Sequence, residues 1–275
     1  MEINGKEIAS QILESLKQRV EKLRKKGIIP NLYIILLSDD ESSASYVKQK
    51  QLKGEEIGVK ITLERANPNI TTDELIKKIE TLNDDNSVHG IIVQRPMPKH
   101  LDEKEIEKTV IPDKDVDGFN PDSKFSVPVA MAVIELLKRA HPQDFENWLR
   151  KKKITVIGRG LTAGGPIIKA LGKMGIEPQV ISHETENPQD LKRESDIIIS
   201  AVGKPNIVDE LEIKKGTILI GVGMHREEDN KFHGDYDEEE IKDKASFYTP
   251  TPKGVGPVNV SMLLTNLVSA CERQS

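Results

Sequence analysis

The spacing of apolar residues changes several times along the first hundred positions. Apolar side chains recur every three or four residues from Ile8 to Leu23, which predicts a helix over residues 8–26. Further runs predict strands at 32–37, 60–65 and 90–94 and helices at 43–56, 72–82 and 103–109. Helices that alternate with strands favour a mostly parallel sheet covered by helices.

A second pattern of the same kind follows a loop at residues 111–121, which is rich in proline, aspartate and glycine. It predicts helices at 128–140, 164–174 and 237–242 and strands at 151–158, 178–182, 196–203 and 216–223. A loop at 249–259 ends in Asn259, the expected N-cap of a last helix over 260–270. The chain is therefore expected to be an α/β protein, and its 275 residues are enough for about two domains.

The composition argues against several classes of protein. A net charge of −5 and an aromatic content of 4% argue against nucleic acid as a partner. The single cysteine, Cys271, cannot form an internal disulfide or a multi-cysteine zinc site, and the histidines show no metal-ligand spacing. No apolar run reaches about 18 residues, and the N-terminus lacks an apolar signal segment. We therefore expect a cytoplasmic enzyme with no metal and no membrane partner.

The clearest chemical feature is a glycine-rich turn between the predicted strand at 151–158 and the helix after it. Gly158, Gly160 and Gly164 lie where the backbone amides of a helix N-terminus attract phosphate. The spacing G-x-G-x-x-x-G-G differs by one residue from the standard dinucleotide fingerprint, so a tight turn without a ligand is an equal alternative. Arg159 favours the phosphate interpretation, because a guanidinium binds phosphate through two hydrogen bonds.

The next predicted strand ends in the segment VISHETEN, residues 180–187. Glu184 follows Gly158 by 26 positions, near the offset of roughly 20 at which an acidic residue meets the adenosine ribose of a dinucleotide. A carboxylate there accepts from a 2′-hydroxyl and repels a 2′-phosphate, which favours NAD, whereas Arg159 favours NADP. The alternative is that Glu184 is a solvated loop carboxylate.

Polar residues also gather at the predicted ends of elements in the first part of the chain. Tyr46 and Lys50 are four residues apart and share one helix face. Gln94 ends a predicted buried strand, and Asp115 and Asp117 lie in the loop at 111–121. Ends of parallel strands are where α/β proteins bind ligands. Taken singly, the same residues are more typical of a surface pair, a capping amide and turn formers.

Six motifs occur in a fixed order along the chain. They are S-x-x-Y-x-x-x-K at Ser43, Tyr46 and Lys50, GIIVQRPMP at 90–98, PDKDVDGF at 112–119, IGRGLTAGGP at 157–166, AVGKP at 201–205 and TPTPKGVGPVN at 249–259. Together they resemble the motifs of the bifunctional methylenetetrahydrofolate dehydrogenase/methenyltetrahydrofolate cyclohydrolase family. The resemblance extends over essentially the whole chain.

This resemblance implies an architecture and an activity. The fold would be α/β with two domains: a three-layer folate-binding catalytic domain at residues 1–118 plus 255–275, and a Rossmann-type NAD(P)-binding domain at 119–254, with the active-site cleft between them. The enzyme would oxidise methylenetetrahydrofolate with NADP, or with NAD, and hydrolyse the product to 10-formyltetrahydrofolate in one-carbon metabolism. A cytoplasmic homodimer is implied as well.

The resemblance also implies residue roles. Lys50 would be the main catalytic residue, Gln94 would hold and tune it, Asp117 would bind the amino edge of the pterin and Tyr46 would pack against the folate rings. The implied folate-binding residues are Ser43, Tyr46, Gln94, Pro96, Asp117, Gly254 and Pro257. The implied dinucleotide-binding residues are Gly158, Arg159, Gly160, Gly164, His183, Glu184, Ala201, Val202 and Gly203.

The chain departs from the family pattern at several positions. Gly160 replaces a serine and Gly165 a lysine in the phosphate turn, and Gly221 replaces an aspartate. Lys253 and Asn259 replace a glycine and a threonine, and residues 128–131 lack the usual Pro-Cys-Thr-Pro sequence. Two alternatives follow: a cyclohydrolase with weak or altered dehydrogenase activity, and a catalytically silent dinucleotide- or folate-binding protein.

Overall fold

The computed structural model describes residues 1–38, 41–227 and 231–275. These residues form two compact units. The first, called the three-strand unit, comprises Ser10–Pro128 and Val260–Ser275. The second, called the five-strand unit, comprises Met1–Ala9 and Val129–Asn259.

The three-strand unit is built on a parallel sheet with the order β2-β1-β3. Its elements are α1 (Gly5–Lys25, which begins in the other unit), β1 (Asn31–Leu36), α2 (Glu41–Ile57), β2 (Lys60–Arg65), α3 (Thr72–Asp84), β3 (Gly90–Gln94) and α4 (Glu103–Thr109). Successive residues of β1 serve two separate cores: Leu32 and Ile34 pack in a cluster with α1 residues, and Ile35 packs with α3 residues. This alternation is what a central strand between two helical layers requires, and it confirms the three-layer prediction.

The five-strand unit contains a parallel sheet with the order β10-β7-β6-β4-β5 and a separate antiparallel hairpin, β8–β9. Its strands are β4 (Ile154–Ile157), β5 (Gln179–Ile181), β6 (Ile197–Ser200), β7 (Ile218–Gly221), β8 (Met224–Arg226), β9 (Phe232–Gly234) and β10 (Phe247–Tyr248). Its helices are α5 (Pro128–Ala140), α6 (Phe145–Arg150), α7 (Gly164–Lys173), α8 (Pro188–Glu194), α9 (Glu238–Ile241) and the start of α10 (Val255–Gln274), with a 3₁₀ turn at Glu210–Glu212. The parallel sheet with flanking helices confirms the predicted Rossmann-type class.

The two parallel sheets share a topological feature. The chain leaves β1 for β2 on one side and later returns to β3 on the other, and it leaves β4 for β5 before it returns to β6. Loops therefore diverge at the carboxyl ends of β1 and β3, and again at those of β4 and β6. Crevices of this kind are the usual ligand sites of α/β sheets.

Several predicted boundaries differ from the observed ones. The sequence pattern missed α6, α8, β10 and the β8–β9 hairpin, which are short elements with weak periodicity. The last helix begins at Val255 rather than at residue 260, so the prediction of Asn259 as its N-cap is wrong. Pro257 had suggested a loop, but proline is tolerated in the first helical turn, where its missing N–H needs no partner.

Candidate functional site

The carboxyl end of β3 carries a buried polar contact with α2. Lys50, only 3% exposed, donates from Nζ to Oε1 of Gln94 at 2.9 Å. The same Nζ lies 5.1 Å from the ring centroid of Tyr46, one helical turn earlier on α2. The four-residue spacing seen in the sequence thus places Tyr46 and Lys50 together. Ser43, a further turn back, is also buried.

The orientation of the Gln94 amide is set by its own neighbour. Its Nε2 donates to the carbonyl oxygen of Arg95 at 2.8 Å, so Oε1 is the atom directed at Lys50. The following peptide, Arg95–Pro96, is cis, and Pro96 is exposed. The side chain of Lys50 is therefore held by an acceptor that carries no charge.

Burial and charge act against each other in this site. Desolvation lowers the pKa of the Lys50 amine, and the nearby carboxylate of Asp117 opposes part of that shift. Desolvation likewise raises the pKa of Asp117, although part of the residue remains accessible to solvent, and the charges of Lys50 and Arg95 oppose the rise. A lysine with a lowered pKa exchanges a proton more readily near neutral pH than an exposed lysine does.

Arg95 is a member of this site that the sequence analysis did not single out. Its guanidinium lies 4.6 Å from the ring centroid of Phe119 and pairs with Glu103 at 2.8 Å and with Glu107. Its positive charge also opposes the rise in the pKa of Asp117. Its position directly after Gln94 in the motif at 90–98 is the sequence signal that could have identified it.

The charged residues of the segment at 112–119 have different roles in the structure. Nζ of Lys114 donates to three backbone carbonyls, those of residues 82, 83 and 85, and so caps the end of α3. Asp115 accepts from the backbone amides of Gly118 at 3.0 Å and Asn120 at 2.8 Å, and burial raises its pKa to about 6. Of the two aspartates, Asp115 shapes the loop, whereas Asp117 interacts electrostatically with Lys50.

A second candidate site lies at the carboxyl end of β4, in the other unit. Gly158 follows the strand with φ of +91°, and a Cβ there would lie 2.7 Å from the carbonyl oxygen of Ala201. A Cβ on Gly164 would overlap the carbonyl of Gly158, whereas one on Gly160 would meet no described atom within 4 Å. The turn therefore needs glycine at two of the three predicted positions for its own packing.

The helix after this turn begins without help from a side chain. Among the described residues, no side chain makes a capping hydrogen bond at Ala163, the residue before the first turn of α7. A ten-residue helix whose start is approached by glycine backbone offers amide groups and a positive dipole end to an anion. These features fit a phosphate-containing ligand.

Arg159 and Glu184, the two residues that favoured opposite cofactors, are in contact. Nη2 of Arg159 lies 2.8 Å from Oε2 of Glu184, with the two side chains 59% and 65% exposed. His183 is also exposed, and its Nε2 is 3.8 Å from the other carboxylate oxygen of Glu184. Tertiary structure thus brings Arg159 to the exposed segment that carries His183 and Glu184.

The segment of Ala201, Val202 and Gly203 follows β6 directly, next to the Gly158 turn. The amides of Val202 and Gly203 donate to the carboxylate of Asp235, a residue that the sequence analysis did not consider. At Gly221, where the family pattern has an aspartate, a Cβ would lie 3.0 Å from Oη of Tyr236. The aromatic side chain therefore occupies the space beside this glycine.

Two predicted folate-binding residues, Gly254 and Pro257, belong to the five-strand unit. Gly254 is buried, and its carbonyl lies so close to Gly5 that a side chain at Gly5 would overlap it. Pro257 is half-buried in the first turn of α10.

The described residues contain no helix long and apolar enough to cross a membrane. Within the same residues, no group of three histidine, cysteine, aspartate or glutamate side chains is arranged to hold a metal ion.

Two family models match the chain one after the other. The model for the catalytic domain of tetrahydrofolate dehydrogenase/cyclohydrolase matches residues 3–117. The model for the NAD(P)-binding domain of tetrahydrofolate dehydrogenase/cyclohydrolase matches residues 128–275.

Individual relatives agree with this result. The chain is 36% identical to the bifunctional protein FolD of Listeria innocua and 36% identical to that of Bacillus subtilis, each over 98% of this chain and 97% of the relative. The crystal structure of the bifunctional FolD enzyme from Campylobacter jejuni superimposes with a TM-score of 0.93 at 36% identity, over 99% of this chain and 98% of the other. The Trypanosoma brucei FolD structure, which contains NADP and an inhibitor, gives 0.91 at 30% identity, over 99% and 97%.

Proposed function

The chain belongs to the tetrahydrofolate dehydrogenase/cyclohydrolase family, and on that premise we propose how its residues carry out the two reactions. The protein is a bifunctional enzyme of one-carbon metabolism. It oxidises methylenetetrahydrofolate to methenyltetrahydrofolate with NAD(P) and hydrolyses that product to 10-formyltetrahydrofolate. The observation that carries the proposal for the catalytic residues is the buried hydrogen bond between Lys50 and Gln94.

Lys50 is the proposed acid–base residue. Because burial lowers the pKa of its amine, Nζ releases a proton more readily than an exposed lysine does. In the hydrolysis, Nζ accepts a proton from the attacking water. Gln94 keeps Nζ in place through a neutral oxygen, which avoids the stabilisation of the charged amine that a carboxylate in direct contact would cause.

Asp117 and Tyr46 are proposed to bind the folate. The Asp117 carboxylate accepts two hydrogen bonds from the aminopyrimidine edge of a pterin, and the half-buried ring of Tyr46 packs against the folate rings. The remaining proposed folate contacts are Ser43, Pro96, Gly254 and Pro257. Apart from the contact at Gly254, we assign folate binding to residues 1–118 with 255–275 and dinucleotide binding to 119–254.

The turn after β4 is proposed to hold the dinucleotide, which supplies hydride acceptance when bound. Gly158 and Gly164 set the shape of the turn, and the open space beside Gly160 lets the pyrophosphate approach the N-terminus of α7. Ala201, Val202 and Gly203 line the neighbouring strand end, and Arg159, His183 and Glu184 lie where the adenosine ribose is expected.

We further propose that the preferred dinucleotide is NADP. Arg159 is an exposed cation in the phosphate turn that can pair with a 2′-phosphate, and the Trypanosoma brucei relative contains NADP. Glu184 then competes with the phosphate for Arg159, because its carboxylate already accepts a hydrogen bond from Nη2 of the guanidinium. A cytoplasmic homodimer is part of the same proposal.

The proposal is tested by measuring both activities on one purified preparation. We expect reduction of NADP with methylenetetrahydrofolate, slower reduction of NAD, and hydrolysis of methenyltetrahydrofolate in the absence of any dinucleotide. A folded sample that hydrolyses methenyltetrahydrofolate but reduces neither dinucleotide would contradict the dehydrogenase assignment. A preference for NAD would contradict the NADP assignment alone.

A further inference from the structure

We propose that Asp235 is a positioning residue for the dinucleotide: its buried carboxylate fixes the loop Val202–Lys204, against which the cofactor binds. The inference rests on the proposed function, which places the loop after β6 in the cofactor site. Asp235 lies just after β9, more than thirty residues away in the chain from the loop it holds. No family motif identified in the sequence includes it.

The carboxylate of Asp235 is fully buried and is surrounded by donors. One oxygen accepts from Oγ of Ser200 at 2.6 Å and from the amide of Val202 at 3.0 Å. The other accepts from the amides of Gly203 at 2.7 Å and Lys204 at 3.0 Å. Consecutive amides that converge on one carboxylate have only a small range of backbone conformations open to them, so the loop is held in one shape.

The main chain of Asp235 extends this restraint. Its carbonyl oxygen accepts from the amides of Ile207 at 2.8 Å and Val208 at 3.1 Å. At the other end of the loop, the carbonyl of Ser200 accepts from the amide of Val222 at 2.8 Å. The segment between β6 and the 3₁₀ turn is thus tied at both ends to the strands that follow it.

The local sequence makes room for this carboxylate. A Cβ on Gly223 would overlap both carboxylate oxygens of Asp235 and the amide of Gly203. Gly203 itself has φ of +75°, a conformation that side chains other than glycine rarely adopt. Gly203, Gly223 and Asp235 therefore together determine the conformation of the loop.

The segment that leads into this loop contacts the phosphate turn directly. The carbonyl oxygen of Ala201, the residue before the restrained amides, would lie only 2.7 Å from a Cβ on Gly158. Ala201 follows β6 and Gly158 follows β4, the two strands whose carboxyl ends bound the crevice of this sheet. A shift of the loop would therefore move one wall of the crevice in which the dinucleotide is proposed to bind.

The test replaces Asp235 by asparagine, whose NH₂ group would face backbone donors instead of accepting from them. We expect KM for NADP to rise by about tenfold or more, since lost charge-assisted hydrogen bonds displace the loop. The kcat of the dehydrogenase should change much less, and the cyclohydrolase should stay within about twofold of wild type, because it depends on the other unit. Asp209→Asn is the matched control, an exposed aspartate of the same unit that caps the 3₁₀ turn.

Several results would overturn the inference. An unchanged KM for NADP in Asp235→Asn would do so, and so would a parallel fall of both activities with the thermal midpoint, which would indicate a role in folding only. If Asp235→Asn does not fold, Ser200→Ala removes one of the four donors and should raise KM by about twofold to fivefold; no rise would overturn the inference. A wild-type enzyme without dehydrogenase activity would instead defeat the proposed function.

Discussion

The two parallel sheets place their candidate sites at equivalent points but build them from different materials. At the carboxyl end of β3 the site consists of buried, charged or amide side chains, and burial shifts the pKa values of Lys50 and Asp117. At the carboxyl end of β4 it consists of glycine backbone, while the charged side chains Arg159 and Glu184 remain largely exposed.

The difference follows from what each site has to do. Proton transfer requires a side chain whose pKa has been moved, and burial is the most effective way to move it. Binding of a diphosphate requires close approach of many backbone amides, which glycine allows and a side chain prevents. The same topology therefore supports a site based on side-chain electrostatics and a site based on backbone shape.

The largest expected effect tests the site at the carboxyl end of β3, which depends on buried side chains. Lys50→Met should lower cyclohydrolase turnover by about 10³-fold, because methionine cannot transfer a proton. Lys48→Met, an exposed position on the same helix, is the control and should leave the activity near wild type. Binding of NADP by Lys50→Met should be retained in a calorimetric titration. Near-normal hydrolysis by folded Lys50→Met would remove this residue from the chemistry.

The next largest effect tests the site at the carboxyl end of β4, which is built from glycine backbone. Gly158→Ala places a Cβ against the carbonyl of Ala201 at φ of +91°, a strain of about 1–3 kcal/mol. Dehydrogenase kcat/KM should fall by about 10- to 100-fold while hydrolysis persists. Gly172→Ala, at an exposed site in α7 where a Cβ meets no described atom within 4 Å, should leave both activities unchanged. Equal losses of both activities in Gly158→Ala would break the comparison.

The smallest expected effect concerns the exposed ion pair. Glu184→Ser frees Arg159 and removes a charge that repels a 2′-phosphate, so the ratio of kcat/KM for NADP over NAD should rise by about threefold to tenfold. Because the pair is exposed, the gain should shrink in high salt. Glu186→Ser, an exposed neighbour, is the control. An unchanged ratio would mean that Glu184 takes no part in selecting the dinucleotide.

Local pattern predicted some parts of the molecule well. The strands at 60–65 and 90–94 and the helices at 103–109 and 128–140 have the predicted bounds, since strong periodicity or a proline defines their ends. The β8–β9 hairpin and α6 were missed because elements of so few residues are too short to show a hydrophobic period. The last helix begins earlier than predicted because residues 255–259, which include Pro257, were assigned to the loop at 249–259, although proline is tolerated in the first helical turn.

The candidate sites divide in the same way. A four-residue spacing sufficed to place Tyr46 beside Lys50, and a glycine-rich strand–helix junction sufficed to locate the phosphate turn. Spacing did not distinguish the structural role of Asp115 from the electrostatic role of Asp117, because both lie in the same loop. That distinction depends on which neighbours surround each carboxylate.

By itself, the sequence determined the type and order of most elements, the parallel character of both sheets and the motifs of the family, because these depend on residues close together in the chain. Only the tertiary structure decided that Arg159 pairs with Glu184, that Arg95 acts on Asp117, and that Asp235 holds the loop after β6. Each of these interactions joins residues that are distant in sequence or lie on different loops. Their geometry is set by packing of the whole unit, which no local period encodes.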